Sequence, residues 1–297
     1  RGGLGVIGKL KVFRDFINKR LEVIKSPGAI PKVIKQNPII RIVADKPFSQ
    51  RIAFPSVLNN INNPFLLQLE NLSDSVMQYE DVTLQKSALQ IIPVEKLKLN
   101  AIENMRRYQQ LIKKKEVTED EPSLDDFILE ELAAWFKNDF FTWINNMDCR
   151  VCKGETRGSG SHIDGGVRVE EFTCDKCHAI TNFYRYNDIE KLLVTRSGRC
   201  GEFANCFTFL CRCLGYDARY IYSTSDHVWT EVFNHSKKRF IHVDPSENVF
   251  DSPLMYEHGW KRKLEYVIAF ARDDVQDVTW RYSNQHEELL KRRKMSS

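Results

Sequence analysis

Apolar residues recur at helical spacing in three segments of the first half of the chain. From residue 65 they return every three or four positions and predict an amphipathic helix, whose stripe is Phe65, Leu66, Leu69, Leu72 and Val76. A second helix is predicted over 95–113, with an apolar face made of Leu97, Ile102, Met105 and Leu111. A third is predicted from Ser123 to Asn145, and its apolar stripe is Leu129, Leu132, Trp135, Phe136 and Phe140. Ser123 is a favourable N-cap, with Asp126 three residues later.

Two later runs, 226–233 and 238–244, have the character of β-strands, and the polar residues between them predict a hairpin turn. A two-residue loop at His235-Ser236 pairs residues whose numbers add up to 471, which places His227 opposite Asp244. Alternation along the strands puts a second set on the face of His227 and Asp244, namely Trp229, Glu231, Phe240 and His242. The opposite face, predicted to point into the core, carries Val228, Thr230, Val232, Ile241 and Val243.

These elements predict an α+β fold in which a helical layer packs on a small antiparallel sheet. We expect a catalytic core over 65–297 and, over 1–64, a basic, Pro-rich extension or linker, because six prolines lie between residues 27 and 64. Residues 1–50 carry 11 Lys and Arg against 3 Asp and Glu. Such a segment suits nucleic acid, membranes or acidic partners, but a solvated extension is the favoured interpretation, and we assign it no function.

The overall composition is that of an ordinary globular protein, with 42% apolar and 28% charged residues. No apolar run reaches the roughly 18 residues that a membrane-spanning helix needs. We therefore expect neither membrane insertion nor nucleic-acid binding.

Eight cysteines bear more directly on function. Four of them form two Cys-x-x-Cys pairs 21 residues apart, Cys149 with Cys152 and Cys174 with Cys177. Two such turns supply the four thiolates of a tetrahedral zinc site. The Gly-rich segment between the pairs predicts a flexible zinc-ribbon loop, and a zinc lobe is expected at about 145–185. A closed site of four cysteines leaves no position for substrate, so one structural Zn²⁺ is predicted; the alternative is two redox pairs. Clustered cysteines also favour a reducing compartment, so we expect a cytoplasmic protein.

The other four cysteines fall within 14 residues, and the first of them is the candidate nucleophile. Gly201 is followed by helical periodicity, which places Cys200 at or near a helix N-terminus, where the macrodipole lowers a thiol pKa. The three cysteines further along the helix, Cys206, Cys211 and Cys213, are predicted to be buried. A thiol nucleophile needs a base and an acceptor that orients it, and His227 and Asp244 are the candidates for these roles.

With these residues in place, the chain resembles the cytoplasmic peptide:N-glycanases of the transglutaminase-like, papain-related superfamily. The resemblance covers about 65–283 and rests on the two Cys pairs and on three motifs: Gly198-Arg199-Cys200-Gly201-Glu202, Asp226-His227-Val228-Trp229-Thr230-Glu231-Val232 and His242-Val243-Asp244. The family usually has Trp where this chain has Phe203 and Phe240.

The resemblance implies a hydrolase that cleaves the amide between Asn and the innermost GlcNAc of misfolded N-glycoproteins carrying high-mannose glycans. The expected triad is Cys200, His227 and Asp244, and the reaction passes through a Cys thioester and leaves Asp. The expected substrate-binding residues are Trp143, also the candidate second oxyanion donor, Trp229, Glu231 and Phe240. The implied context is ER-associated degradation, with proteasome-shuttle and segregase machinery as partners.

Two other classes of function stay open at this stage. The same triad serves transglutaminase-like transamidation or cysteine-protease activity, which would give crosslinks or backbone cleavage. A non-catalytic glycan-binding or scaffold module is the other class, and an intact triad argues against it.

Overall fold

The computed structural model describes residues 63–114, 116 and 122–293. The expected extension over 1–64 lies outside these residues except for its last two positions, so it stays a prediction. No helix within the described ranges combines the length and apolar character needed to cross a bilayer.

Four helices come first along the described chain. They are α1 (Pro64–Ser75), α2 (Val82–Leu89), α3 (Val94–Lys113) and α4 (Leu124–Trp135). Asn63 caps α1 by accepting hydrogen bonds from the backbone N–H groups of Phe65 and Leu66, at 3.1 and 3.3 Å. The predicted cap of α4 is confirmed, because Ser123 and Asp126 form a reciprocal capping box. Local polar signals thus set where these helices begin.

The apolar faces of the first two predicted helices are largely confirmed. Leu66, Leu69 and Val76 of the first stripe are buried. On α3 the buried line runs through Leu97 and Ala101, whereas Leu111 is 37% exposed. The predicted position of Leu111 on the buried face is therefore wrong, because α3 packs on α4 through its earlier turns, around Ala101, and Leu111 lies in the last turn.

The third predicted helix ends earlier than its apolar pattern indicates. After Trp135 the chain makes a π-helical turn over Phe136–Phe140, and Phe141 is already extended, so the predicted end at Asn145 is wrong. Phe140 and Phe141 are both buried. Phe141 reaches the core from extended backbone, where its ring centroid lies 4.8 Å from that of Phe203. The Phe141 N–H donates to the carbonyl of Phe136 at 2.8 Å, which closes the turn.

The remaining elements are mostly strands. They are β1 (Thr142–Trp143), β2 (Thr156–Asp164), β3 (Val167–Cys174), β4 (Ile180–Arg185), α5 (Ile189–Thr195), β5 (Ser197–Gly198), α6 (Cys200–Cys213), β6 (Ala218–Ser223), β7 (His227–Asn234), β8 (Arg239–Asp244), β9 (Val249–Phe250), β10 (Val267–Phe270), β11 (Val275–Asp277), α7 (Thr279–Tyr282) and α8 (His286–Arg292). A six-stranded antiparallel sheet has the order β11-β10-β6-β7-β8-β9. The predicted α+β class, with helices on a small antiparallel sheet, is confirmed.

The hairpin of β7 and β8 exists, but its predicted register is wrong. Thr230 pairs with Val243 and Asn234 with Arg239, which leaves four residues, 235–238, in the turn instead of two. His227 and Asp244 are therefore diagonal neighbours and not directly opposed. The pairing has shifted by two positions, so every residue keeps the face that alternation predicts.

Both faces of this sheet are covered. Helix α6 packs on β6 and β7, and its buried residues join the main core with Val232 and Val243 of the sheet. On the other face, Trp229 and Ile221 pack against residues of the segment 255–282, including Tyr256 and Tyr282. Cys200 thus begins the helix that packs on one face of the sheet. His227 lies on the other face, the one that the segment 255–282 covers.

The segment between the two Cys pairs forms regular structure and not the predicted flexible loop. Strands β2 and β3 make a long antiparallel hairpin, and β4 adds a third strand to this separate sheet. Gly165 and Gly166, both at positive φ, form the hairpin turn. Val169 and Phe172 of β3 are both buried and lie on opposite faces of the strand, so packing on each face stabilises a sheet that the glycines alone do not predict.

Candidate active site

Cys200 is the first residue of α6, as predicted. The N–H groups of a helix's first turn lack partners within the helix and favour negative charge at this position. Cys200 is partly exposed, whereas Cys206, Cys211 and Cys213 are buried. Burial raises the pKa of each of these three thiols, which keeps them protonated. Only Cys200 of this group combines access with a helix N-terminus.

His227 connects Cys200 to Asp244. Its Nε2 lies 2.7 Å from Asp244 Oδ2, and its side chain also hydrogen-bonds to Cys200. Because Nε2 is engaged with the carboxylate, Nδ1 is the nitrogen left for the sulfur. The structure therefore brings the three predicted triad residues together, despite the shift in hairpin register.

The electrostatics of this group favour a charged imidazole. Burial alone lowers the pKa of His227, but its hydrogen bonds with Asp244 and Cys200 outweigh burial and raise the pKa to about 9. For Asp244, burial raises the pKa, and the bonds with His227, Ser246 and Tyr256 reverse this and lower it to about 2. Asp244 is thus an anion at neutral pH, and His227 is suited to share its proton with Cys200.

Further donors hold Asp244 in place. Its Oδ1 accepts the backbone N–H of Ser246 at 3.0 Å, the Ser246 hydroxyl at 2.7 Å and the backbone N–H of Glu247 at 3.3 Å. Its Oδ2 accepts the Tyr256 hydroxyl at 2.8 Å in addition to His227. The carboxylate is fully buried and satisfied on both oxygens, so its orientation is fixed.

His242 extends this network by one step. Its Nε2 lies 2.7 Å from the Tyr256 hydroxyl, and its Nδ1 is 3.4 Å from the backbone N–H of Ser252. Burial lowers the pKa of His242 to about 4, so the ring is neutral at pH 7. One tautomer fits all contacts: Nε2–H donates to Tyr256, and Tyr256 donates to Asp244. Tyr256 and Ser246 were not predicted from the sequence. A hydroxyl residue two positions after Asp244 is typical of a turn in which side chains bind the backbone, and this local pattern could have indicated Ser246.

The four expected substrate-binding residues differ in access. Trp143 is 42% exposed; it pairs with Gly198 beside the nucleophile and packs on Phe203 at 5.6 Å between ring centroids. Its Nε1–H donates to Asn145 at 2.8 Å, so the indole N–H is engaged within the chain. Phe240 is half-buried, with the Arg219 guanidinium 3.8 Å from its ring centroid.

The other two, Trp229 and Glu231, are fully buried. Trp229 donates from Nε1 to the Tyr282 hydroxyl at 2.8 Å, and Glu231 binds Arg219, Arg281 and Tyr282, each at 2.6 Å. The expected sugar contact does not fit this burial, because the segment 255–282 covers their face of the sheet. Alternation identified the face but not what packs on it.

A second exposed tryptophan lies beside the triad. Trp260 is 37% exposed and directs its ring towards His227, with 4.8 Å between ring centroids. It follows the π-helical turn Met255–Gly259, as Trp143 follows the turn Phe136–Phe140. Trp260 was not predicted from the sequence. One exposed tryptophan thus pairs with Gly198, two residues before the nucleophile, and the other lies beside the base.

The four predicted metal ligands meet at one point. The Sγ atoms of Cys149, Cys152, Cys174 and Cys177 all lie within 4.8 Å of one another. The shortest separations, 3.4 Å, join one motif to the other: Cys149 to Cys177 and Cys152 to Cys174. A zinc–sulfur distance of about 2.3 Å gives sulfurs roughly 3.8 Å apart in a tetrahedron. Contacts across the motifs suit a shared metal better than two redox pairs.

Backbone N–H groups support thiolates in this cluster. The N–H groups of Cys152 and Val151 point at Cys149 Sγ and lower its pKa to about 6. The Ala179 N–H lowers the pKa of Cys177, but its contacts with the other sulfurs raise it to about 12. Neighbouring thiolates repel one another, so the cluster could hold a metal ion that supplies the missing positive charge.

Known proteins resemble this chain at this site. A family model described as the transglutaminase-like superfamily matches residues 150–245, which include Cys200, His227 and Asp244. A second, the Rad4 transglutaminase-like domain, matches 219–297. The peptide-N(4)-(N-acetyl-beta-glucosaminyl)asparagine amidase of Drosophila melanogaster is 53% identical over 84% of the chain and 39% of its own length. The protein of that name from Homo sapiens is 44% identical over 84% of the chain and 38% of its own.

Over most of its length the chain is similar to peptide-N(4)-(N-acetyl-beta-glucosaminyl)asparagine amidases, and residues 150–245 match the transglutaminase-like superfamily. It spans about two fifths of the length of these relatives. A solved structure, Rad4–Rad23 bound to a 6-4 photoproduct lesion, aligns with 74% of this chain and 47% of its own, at 15% identity and a TM-score of 0.45. The similarity to these amidases agrees with the resemblance found in the sequence motifs.

Proposed function

We propose that this chain is a peptide:N-glycanase that hydrolyses the amide between Asn and the innermost GlcNAc of N-glycoproteins. The observation that carries the proposal is the connected set Cys200, His227 and Asp244, with the partly exposed Cys200 at a helix N-terminus. The names of the relatives identify the amide that such a set would cleave in this family.

In the first step the Cys200 thiolate attacks the side-chain carbonyl carbon of the glycosylated Asn. The imidazolium of His227 donates its Nδ1 proton to the amide nitrogen, the carbon–nitrogen bond breaks, and the glycan leaves as a glycosylamine. A thioester remains on Cys200. The backbone N–H of Cys200 would stabilise the oxyanion, and Trp143 is our candidate for a second donor once its indole N–H turns from Asn145.

In the second step His227 takes a proton from water, and the resulting hydroxide equivalent attacks the thioester carbon. The carbon–sulfur bond breaks, the thiolate of Cys200 is restored, and the peptide is released with Asp in place of Asn. Asp244 holds the imidazole so that Nδ1 faces the sulfur, and its charge stabilises the imidazolium in both steps.

Cys149, Cys152, Cys174 and Cys177 would hold one Zn²⁺. Four thiolates would complete the coordination of such an ion, so it would stabilise the lobe that carries β2, β3 and β4 and would leave the reaction to the triad. The four sulfurs and the N–H groups aimed at them support this assignment.

Trp143 and Trp260 would contact the substrate, since indole faces stack on sugar rings and peptide groups. Misfolded glycoproteins with high-mannose glycans are the proposed substrates. A cytoplasmic location and partnership with proteasome-shuttle and segregase machinery follow from family resemblance.

Two activities on the same triad compete with this proposal, transamidation and peptide hydrolysis. Native and denatured forms of one N-glycoprotein would be incubated with the chain, and the products analysed by mass spectrometry. We expect a free glycan and Asp at the former glycosylation site, faster from the denatured form. Crosslinked products, or backbone cleavage with the glycan still attached, would overturn the proposal.

A further inference from the structure

Four charged residues of alternating sign join α6 to the metal-binding lobe, which is the sheet of β2, β3 and β4 together with the four cysteines. This interlobe cluster consists of Glu170 on β3, Arg185 at the end of β4, Arg199 before α6 and Glu202 in the first turn of α6. Glu170 receives Arg185 Nη1 at 2.8 Å on one oxygen and Arg199 Nη2 at 2.8 Å on the other. One carboxylate of the lobe thus holds two arginines, one of which directly precedes Cys200.

The second carboxylate closes the cluster from the helix side. Arg185 donates hydrogen bonds to the carboxylate of Glu202 from two nitrogens, Nε at 2.6 Å and Nη2 at 3.0 Å. Glu202 in turn accepts the backbone N–H of Arg199 at 2.9 Å, which caps α6. Forked pairs of this kind fix direction as well as distance.

Gly198 shows how closely this part of the chain is packed. A Cβ atom at position 198 would lie 2.3 Å from Cβ of Glu202, which is far shorter than a van der Waals contact. Only glycine therefore fits at this position without a shift of the chain. The carboxylate of Glu202 can therefore fold back over the strand that leads to Cys200. The path of the chain from 198 to 202 is set by this contact and by the two arginines.

Arg199 also reaches the opposite wall of the site. Its Nε donates to the carbonyl of Ile144 at 2.9 Å, and its Nη2 to that of Asn145 at 3.4 Å. These residues follow Trp143 directly. The guanidinium of Arg199 therefore contacts both the lobe and the segment after β1. The backbone of the same residue leads directly into Cys200.

The cluster is shielded enough for its geometry to matter. The side chains of Glu202 and Glu170 are 3% and 13% exposed, and those of Arg185 and Arg199 are 21% and 29% exposed. Two carboxylates face these two guanidinium groups, and a third guanidinium, that of the exposed Arg168, lies 3.8 Å from Glu170. Burial raises the pKa of Glu170, but Arg185 and Arg199 outweigh it and hold the pKa below its usual value. Glu170 is an anion under all conditions in which the protein would act.

We propose that Glu170 is a positioning residue for the nucleophile: through Arg199 it aligns Cys200 with His227, so that the metal-binding lobe controls the thiolate and not only the fold. Strand β3 carries Cys174 at one end and Glu170 four residues earlier, so the lobe's sheet transmits order from the metal cluster to the interlobe cluster. The proposal rests on the assignment of Cys200 as nucleophile, and its test does not require amidase activity.

The test compares Glu170→Gln with a matched control, Glu171→Gln. The control removes the neighbouring charge on the same strand, where Glu171 forms an ion pair with the exposed His162 at 3.0 Å. Alkylation of Cys200 by iodoacetamide is followed across pH by mass spectrometry of its peptide, because the thiolate is the reactive form. Zinc content and thermal midpoint are measured on the same samples, and kcat and KM with a glycopeptide.

An amide at position 170 turns its NH₂ group towards one of the arginines, which loses a charge-assisted bond. For Glu170→Gln we expect alkylation of Cys200 at pH 7 and kcat each to fall about tenfold, with the alkylation profile moved to higher pH and KM nearly unchanged. Zinc content should equal that of the wild type, and Glu171→Gln should match the wild type throughout. Unchanged alkylation and kcat in folded, zinc-containing Glu170→Gln would overturn the proposal.

A second variant decides the case in which Glu170→Gln loses its metal. Arg199→Lys leaves every residue of the lobe intact, keeps the positive charge and removes the fork. We expect the same slower alkylation at full zinc content, and wild-type alkylation in this variant would overturn the proposal. If the wild type releases no glycan, the proposed function fails, while the alkylation rates still decide the role of Glu170.

Discussion

Replacing Asp244 with Asn changes one atom in the group that orients His227. The structure dictates which way the new amide faces. Oδ1 of Asp244 accepts two backbone N–H groups and the Ser246 hydroxyl, so the amide oxygen must stay there. The NH₂ group then replaces Oδ2 and points at Nε2 of His227 and at the Tyr256 hydroxyl. His227 must accept this bond, which puts its proton on Nδ1 in the neutral ring and opposes transfer from Cys200.

The size of the effect follows from the two pKa values. The pKa of His227 is about 9 against an ordinary 6.5, and at about 1.36 kcal/mol per pKa unit its charged form is stabilised by roughly 3 kcal/mol. The same conversion for Asp244, about 2 against 3.8, gives roughly 2 kcal/mol. The first figure includes Cys200 and the second includes Ser246 and Tyr256, so neither belongs to the pair alone. We take a value between these two figures, about 2.7 kcal/mol, and expect kcat to fall about 10²-fold.

The assay measures kcat for glycopeptide cleavage between pH 5 and 10, with the thermal midpoint of the same samples. In Asp244→Asn the alkaline limb of the pH–activity profile should also move to lower pH, because the imidazolium loses its anionic partner. Val243→Ala is the control: it removes two buried methyl groups from the opposite face, should cost roughly 2 kcal/mol of stability and should leave kcat nearly unchanged. Near wild-type turnover in Asp244→Asn, or loss of catalysis in folded Val243→Ala, would refute the reasoning.

Four further outcomes are expected. Tyr256→Phe removes a donor to Asp244 and leaves a buried N–H of His242 unpaired. The free energy of unfolding should therefore fall by about 1–3 kcal/mol and kcat by about tenfold. Wild-type values in both chemical denaturation and turnover assays would contradict this. Gly198→Ala places a methyl group against Glu202, and its thermal midpoint should fall clearly below that of the wild type; an unchanged midpoint would mean that the chain yields there at no cost. A chelator should unfold the metal-binding lobe and abolish activity, and elemental analysis showing no zinc in folded, active protein would defeat the zinc assignment. The raised pKa of His227 stabilises the fold fully below pH 6.5 and less as pH rises through about 9, so the stabilities of wild type and Asp244→Asn should converge in that window.

The sequence predicted the chemistry of the site more reliably than the geometry of its supports. The spacing of the Cys pairs and the glycines around Cys200 are local signals, and the structure places these residues as expected. The hairpin register failed because the turn has four residues: the Asn234 side chain accepts the N–H of Lys237 at 2.7 Å, and Lys238 adopts a left-handed φ of 51°. The predicted face of each strand residue is nevertheless correct, because a shift of two positions preserves the alternation of side chains.

Long-range packing accounts for the remaining errors. Nothing local to Trp229 or Glu231 indicates that Tyr282, more than 50 residues later, covers them. The helix that starts at Ser123 ends early because Phe141 enters the core beside α6, where its ring lies 4.8 Å from that of Phe203. Tyr256 was missed for the same reason, as its contact with Asp244 depends on how the segment after β9 folds back.

Cleavage of one N-glycopeptide in heavy-oxygen water tests the central claim most directly, because it reports the bond broken and the group that breaks it. With the wild type we expect a released glycan and a peptide whose new Asp carries one heavy oxygen. Cys200→Ala should lose at least about 10⁴-fold in rate, whereas Cys206→Ala, which changes a buried thiol on the same helix, should keep wild-type turnover. Glycan release that persists in Cys200→Ala, or heavy oxygen found at a cleaved backbone bond, would contradict the account.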